Sequence, residues 1–496
     1  MKELEITHHG GYRISDELTK QGSPQNEIFM VNVYTTLECY AFQSIIRILS
    51  TCHQLEYFRY GNTHSYEWSS SPSSLSIISA MNNNPNSFCL SLRYLEIQIG
   101  ETHESYMEHI LKQCPNLRIL RLRYAWLIEP SVLDSIRRYC PHLKYLCFDC
   151  RQNILRGKDL YYQYYPESST LRSSSNNAAA TKLPSPLLAP QLSTPPALKT
   201  LYLRISNTDP VVPFLNQYSD TIEDTILSFP PGANLSSMQI MNRLTSLVMT
   251  YAGDPRLFAV VISNAPSLRN VELRQSYISV EVSNALKKLN TLEKLKFNDE
   301  VIDQDGLDDR DDLFYEYAGR AADNMVDVFN TYAEASMFAA TATSSKEREK
   351  NAGDRGLSQR QPHGRGWLTH VTLLGCDFTQ DPVLEALGNI KTLSHVYVGS
   401  APLVTTKGIN AFCEQLNLLP ELGSIELYNV PRVEDSTLSI LGLSSTARTS
   451  SNNITRNITL NSLRNVTEEG LDQLSKKQGV SIIAYNTPCT DRYYYY

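Results

Sequence analysis

One arrangement of apolar positions keeps returning along this chain. Residues 114–122 read CPNLRILRL and residues 140–148 read CPHLKYLCF, so Leu117, Leu120 and Leu122 recur as Leu143, Leu146 and Phe148 at an offset of 26. The same L-x-x-L-x-L frame runs through Leu92, Leu95 and Ile97; Leu198, Leu201 and Leu203; Leu244, Leu247 and Met249; and Leu268, Val271 and Leu273. It continues through Leu292, Leu295 and Phe297; Leu368, Val371 and Leu373; Leu393, Val396 and Val398; and Leu422, Ile425 and Leu427, with a degenerate copy from Leu55. First positions lie 37, 25, 26, 55, 46, 24, 24, 76, 25 and 29 residues apart, and the six intervals between 24 and 29 set the period of a repeat.

Within each frame the apolar residues alternate, which predicts a short strand, and helical spacing follows, as in Val132, Leu133, Ile136 and Tyr139. Burying four or five such side chains contributes roughly 1.5 to 3 kcal/mol each. Ordering about 25 residues costs on the order of 1.5 kcal/mol per residue, so a lone repeat cannot fold. Stacked neighbours keep each apolar wedge dry from both sides. The predicted fold is α/β, a right-handed leucine-rich-repeat solenoid or horseshoe with a parallel β-sheet on the concave face and helices on the convex one.

The units resemble the cysteine-containing subtype of leucine-rich repeats, which closes each helix at C-P-x-L. Cys114-Pro115 and Cys140-Pro141 carry that closing signature. Cys376 follows its strand in LLGCDFTQDPVLEAL, and Asn465 in LNSLRNVTEEGLDQL is read as its equivalent. This subtype is similar to the repeat region of F-box/leucine-rich-repeat proteins. The resemblance implies a substrate-recognition subunit of an SCF-type ubiquitin ligase, in the Ubl conjugation pathway, with a protein substrate on the concave face. It also implies a Skp adaptor and a cullin, held through an N-terminal element. No segment here reads as an F-box; Leu419 to Leu422 belong to a repeat strand, and Met1, Leu4 and Ile6 already fit the strand frame.

Breaks in the period divide the chain into N-terminal repeats (1–165), a Ser/Ala/Pro-rich insertion expected to be disordered (166–197) and central repeats (198–297). An acidic and helical insertion (298–366), C-terminal repeats (367–488) and a tail (489–496) follow. In the second insertion Phe314, Tyr317, Ala321, Met325, Val328 and Tyr332 recur at intervals of 3 and 4, predicting an amphipathic helix that packs on the solenoid. The acidic run before it does not make a calcium loop, because Val301 stands where an Asp is required five residues before Gly306.

Composition narrows the function classes. No stretch approaches the roughly 18 apolar residues that span a bilayer, and the first ten residues lack the features of a secretory signal. The expected location is cytoplasmic or nuclear, with the 10 cysteines reduced and the sequons at Asn234, Asn453, Asn457 and Asn465 unused. A net charge of −7 argues against nucleic acid as the main partner, and the lack of a spanning apolar stretch leaves no membrane partner expected. The single C-x-x-C pair, Cys147 and Cys150, has no second pair, and His8 and His9 have no companion ligands, so no metal and no cofactor are expected. No phosphate-cradling loop or nucleophile elbow appears, and the chain reads as a binding protein without catalytic residues.

The candidate protein-binding residues are those between the leucines, which alternation turns to the concave face in rows. They are Tyr57, Arg59, Tyr94, Glu96, Arg121, Arg123, Tyr145, Tyr202, Arg204, Glu272, Arg274, Lys294, Lys296, His395, Tyr397, Glu426 and Tyr428. Tyr and Arg dominate protein interfaces because each combines area with directional hydrogen bonds. Replacing Arg121, Arg123 and Arg204 by Ala is therefore expected to weaken binding and leave stability alone. The alternative functions are a scaffold or regulator without a ligase, a small-GTPase regulator of the ribonuclease-inhibitor-like kind, and a DNA-repair accessory, against which the acidic balance argues.

Overall fold

The computed structural model describes residues 3–8, 29–33, 45–46, 48–62, 88–98, 104–123, 130–148, 198–204, 211–229 and 233–250. It further describes 254–274, 278–299, 312–349, 368–441, 456–477 and 479–485. The 166–197 stretch, most of the acidic run, the tail, Cys150 and His9 lie outside these residues. The chain divides into two compact units, Met1–Gln239 and Ile240–Tyr496, with the division inside the 198–297 block.

The first unit carries β1 (Glu3–His8), β2 (Phe29–Val33), β3 (Tyr57–Asn62), β4 (Tyr94–Gln98), β5 (Ile119–Arg123), β6 (Tyr145–Phe148), β7 (Thr200–Arg204) and β8 (Asp224–Ser228). Its helices are α1 (Glu104–Gln113), α2 (Pro130–Tyr139) and α3 (Val211–Gln217). All these strands pair in parallel, and β3 to β8 stack in chain order. At the far end β1 lies between β2 and β3, so β2 forms the margin. The frame leucines stand in one register: Leu4, Phe58, Leu95, Leu120, Leu146 and Leu201 are successive partners. The β8 repeat escapes the leucine count because Thr225 replaces the second leucine, between Ile222 and Leu227. Its hydroxyl satisfies itself at 2.7 Å on the Leu201 carbonyl of the preceding strand, and the interval of 46 becomes 24 (198 to 222) plus 22 (222 to 244).

The second unit carries β9 (Ser246–Thr250), β10 (Asn270–Arg274), β11 (Lys294–Asn298), β12 (His370–Leu374), β13 (His395–Gly399), β14 (Ser424–Tyr428), β15 (Arg456–Asn461) and β16 (Val480–Tyr485). They too are parallel neighbours in chain order. Its helices are α4 (Pro255–Ser263), α5 (Val280–Lys287), α6 (Asp312–Glu349), α7 (Asp381–Gly388), α8 (Thr406–Asn417), α9 (Asp435–Leu441) and α10 (Glu468–Ser475). The predicted amphipathic helix is α6, and it is the helix of the β11 repeat itself. Met325, Val328, Phe329 and Tyr332 are buried. The Tyr332 hydroxyl donates to the Leu286 and Leu289 carbonyls at 2.9 and 3.0 Å, closing the open end of α5.

The C-P-x-L signature marks a turn. The residue three before the first leucine accepts that leucine's N–H: Leu92 to Cys89, Leu117 to Cys114, Leu143 to Cys140 and Leu268 to Ala265, at 3.3, 3.1, 3.1 and 3.3 Å. Ala265 shows that the position asks for a small buried apolar side chain, and Cys serves as one. Burial pushes the Cys140 thiol up to about 12 and the Cys114 thiol well above its ordinary value.

Strands of the second unit end alike. Gly375, Ser400, Asn429 and Ser462 adopt positive φ of 68, 48, 46 and 56°. Each turns the chain off the sheet while its N–H makes one more rung to the next strand, at 2.9, 2.8, 2.8 and 3.0 Å. The next residue, Cys376, Ala401, Val430 or Leu463, is buried. Leu463 and not Asn465 is thus the equivalent of Cys376, which corrects the sequence alignment. Asn465 is exposed and instead donates to the Pro431 carbonyl at 2.6 Å.

Neighbouring helices are clasped at their starts. Thr405 caps α8, accepting from Gly408 N at 3.0 Å, while its own N–H and hydroxyl reach the Asp381 carboxylate of the previous repeat at 2.8 and 2.5 Å. Thr467, Gly470 and Asp435 repeat the arrangement, with 3.2 Å for the cap and 2.8 and 2.6 Å for the carboxylate. A Cβ on Gly408 or Gly470 would run into that carboxylate, so a larger residue there would displace the Asp from its clasp.

Candidate protein-binding face

The frame puts the candidate residues on the sheet face that the leucines leave, and there the two units differ. In the first unit Tyr57, Tyr94, Glu96, Arg121 and Tyr145 are buried, each at 1% exposure or less. The expectation of accessible rows is corrected for these five. Alternation fixes which face a side chain takes, but not whether that face is covered. β6 is buried at every position.

The covered residues pack against one another. Tyr57 and Tyr94 are register partners whose rings stack at 4.4 Å, and Tyr145 meets half-buried Tyr202 edge-on at 5.4 Å. One row over, Glu96 lies between Arg59 and Arg121. Its carboxylate takes Arg121 Nη1 at 3.2 Å, Arg59 Nε at 3.2 Å and the Tyr94 hydroxyl. Burial would push Arg121 down, but Glu96, Tyr94 and Cys147 beside it hold it above its usual value. Burial, reinforced by Glu96, likewise raises the Tyr94 phenol. This is a charge-assisted network whose buried members, Tyr94, Glu96 and Arg121, depend on one another, with Arg59 at its exposed edge. Arg121 is structural, so the expectation that its removal spares stability does not hold. Arg123 and Arg204 occupy their strand-end register positions, partnered with Gln98 and Ser228. Cys147 of the C-x-x-C pair is buried on this face. Tyr202 donates to Asp224 at 3.0 Å, a partner that the leucine count missed with the β8 repeat.

In the second unit the same face is open. Strands β9, β10, β12 and β14 each alternate buried leucine-frame positions with half-buried ones, and β11 begins with exposed Lys294. Val248, Glu272, Lys296, Thr372, Tyr397, Glu426 and Thr459 form one register row. Alongside runs Ser246, Asn270, Lys294, His370, His395, Ser424 and Asn457. Glu272 takes Arg274 at 2.6 Å and Lys296 at 3.3 Å, both partly exposed. His395 lies 3.7 Å from Glu426 and stacks on His370 with centroids 5.5 Å apart. Desolvation, then Lys294 and His395, lower the His370 pKa. Tyr428 stands at the next outward position of β14, half-buried. His370 was not among the sequence candidates; its place opposite His395 in the frame was the available signal.

No family model matches the chain, and no curated protein matches it. The crystal structure of the Rad7 and Elc1 complex in yeast holds a similar chain, covering 90% of this chain and 93% of that one at 14% identity and a TM-score of 0.38. The chain is built as a leucine-rich-repeat solenoid. Among the described residues no group of three His, Cys, Asp or Glu side chains is placed to hold a metal, and no helix is long and apolar enough to cross a membrane.

Proposed function

We propose that the chain is a protein-binding leucine-rich-repeat protein whose work is recognition and not catalysis, and that it serves as the substrate-recognition subunit of an SCF-type ubiquitin ligase. The observation that carries the binding half is the second unit's open face, where Glu272, Arg274, Lys294, Lys296, Tyr397 and Tyr428 stand outward on a parallel sheet without being buried. Rigid strands hold them at fixed spacing, so little ordering is lost on binding. The ligase half rests on the Cys-Pro closing signature and its likeness to the F-box-associated repeats. The yeast structure, a complex of Rad7 with Elc1, makes adaptor association a reasonable thing to test here.

The experiment is affinity capture with the full chain from cells, with immunoblots for a Skp adaptor and a cullin and mass spectrometry for substrates. Recovery of both ligase components, together with a substrate lost on Tyr397→Ala plus Tyr428→Ala, supports the reading. Capture of partners without adaptor or cullin would leave a scaffold or regulator instead.

A further inference from the structure

We infer that the open face of the second unit recognises an acidic, carboxylate-bearing peptide segment at Lys294, His370 and His395, and that the histidine pair makes this recognition tighten as pH falls. The inference rests on the binding role proposed above and names the partner chemistry.

The three residues are direct register partners on β11, β12 and β13. With strands about 4.8 Å apart, they line up over roughly 10 Å. Lys294 is exposed, and among the described residues no carboxylate is paired with it. The surrounding charges are accounted for strand by strand. On β10, Glu272 is engaged by Arg274 at 2.6 Å and by Lys296 of β11 at 3.3 Å. Glu293, ahead of β11, is held by Arg269 at 3.2 Å. From β14, Glu426 faces His395 at 3.7 Å. Just ahead of β12, Thr369 occupies His370 Nδ1 at 2.8 Å, and Tyr397 of β13 lies one row away.

The face thus sets three cations (Arg274, Lys294, Lys296) against two carboxylates (Glu272, Glu426). Protonating both histidines raises the excess from one positive charge to three. Burial, then Lys294 and His395, oppose the protonation of His370, while Glu293, already held by Arg269, favours it. An anion bridging Lys294 and the imidazoles would offset the repulsion among them and take up protons on binding. The donors are an ammonium and two rings, each a single point. The neighbouring guanidinium, the fork that suits phosphate, is committed to Glu272, so the row fits carboxylates.

The test is fluorescence anisotropy with the full chain and a labelled hexaglutamate peptide, whose carboxylates stay ionised at about pH 6 and about pH 7.5. Hexaglutamine and phosphoserine peptides are run beside it at constant ionic strength. The expected result is hexaglutamate binding about five- to tenfold tighter at the lower pH, with no binding of hexaglutamine. His370→Gln with His395→Gln should abolish the pH ratio, and Lys294→Gln should weaken binding at both pH values. No binding of hexaglutamate, a pH ratio that survives the histidine changes, or binding of the phosphoserine peptide alone would each overturn the inference. If cellular partners are captured equally by the wild type and by the Lys294→Gln, His370→Gln, His395→Gln variant, the acidic-segment inference fails while the binding role stands; loss of all capture by the wild type fails the role itself.

Discussion

Replacing Glu96 by Gln should unsettle the first unit far more than its single-atom change suggests. The Arg121 guanidinium has 1% of its side chain exposed, and Glu96 supplies its counter-charge at 3.2 Å. Gln keeps the shape but leaves a buried cation uncompensated, a lesion of about 3–5 kcal/mol. For a unit of this size each kcal/mol moves the midpoint by about 2–4 °C, so the first unit should melt roughly 6–20 °C lower. Arg59, with 37% of its side chain exposed, is the internal control: Arg59→Ala should cost under about 1 kcal/mol. Thermal melts give the size, and hydrogen exchange of the β3 to β6 amides gives the place. A companion variant, Glu96→Leu with Arg121→Met, should recover much of the loss, because a buried pair replaced by apolar residues is often neutral or better. A shift below about 1 °C for Glu96→Gln, or a double variant less stable than the single one, would refute the assignment of a charge-dependent covered layer.

Leu120→Asp should open its repeat, since a fully buried position would receive an unpaired carboxylate; loss of exchange protection in β4 to β6 is the readout. Thr467→Val removes the α10 cap and the hydroxyl's bond to Asp435 while keeping the backbone N–H bond, and should lower stability by about 0.5–2 kcal/mol in urea unfolding while leaving capture of partners intact. Cys140, held near 12 against an ordinary 9.0, contributes stability that is complete below about pH 9 and is lost as pH rises toward 12, because the unfolded thiol ionises first; unfolding midpoints across that window, compared with Cys140→Ala, check the sign.

Much of this architecture was legible because it is written in a period. Leu120, Leu146 and Leu201 occupy the register the frame assigns, and the spacing from Phe314 to Tyr332 did mark a helix. The β8 repeat was hidden by Thr225, whose hydroxyl pairs with a carbonyl in the fold and so passes as a core residue without looking apolar. β2 was missed because it stands at a margin, partnered by β1, outside the chain-order stacking that the frame implies. For the candidate face, alternation correctly turned Tyr94, Glu96 and Arg121 away from the leucines. Whether such a side chain meets solvent depends on what else lies against the sheet, which periodicity does not encode. His370 went unremarked because one imidazole in a strand says little until its neighbours are known.

The Asp–Thr–Gly clasps have a practical corollary for engineering. They lock the phase of one helix to the next at its first turn, through Asp381 to Thr405 and Asp435 to Thr467, independently of how many residues the chain spends between repeats. A single residue added between Thr467 and Gly470 should therefore break the clasp and unseat α10 from α9.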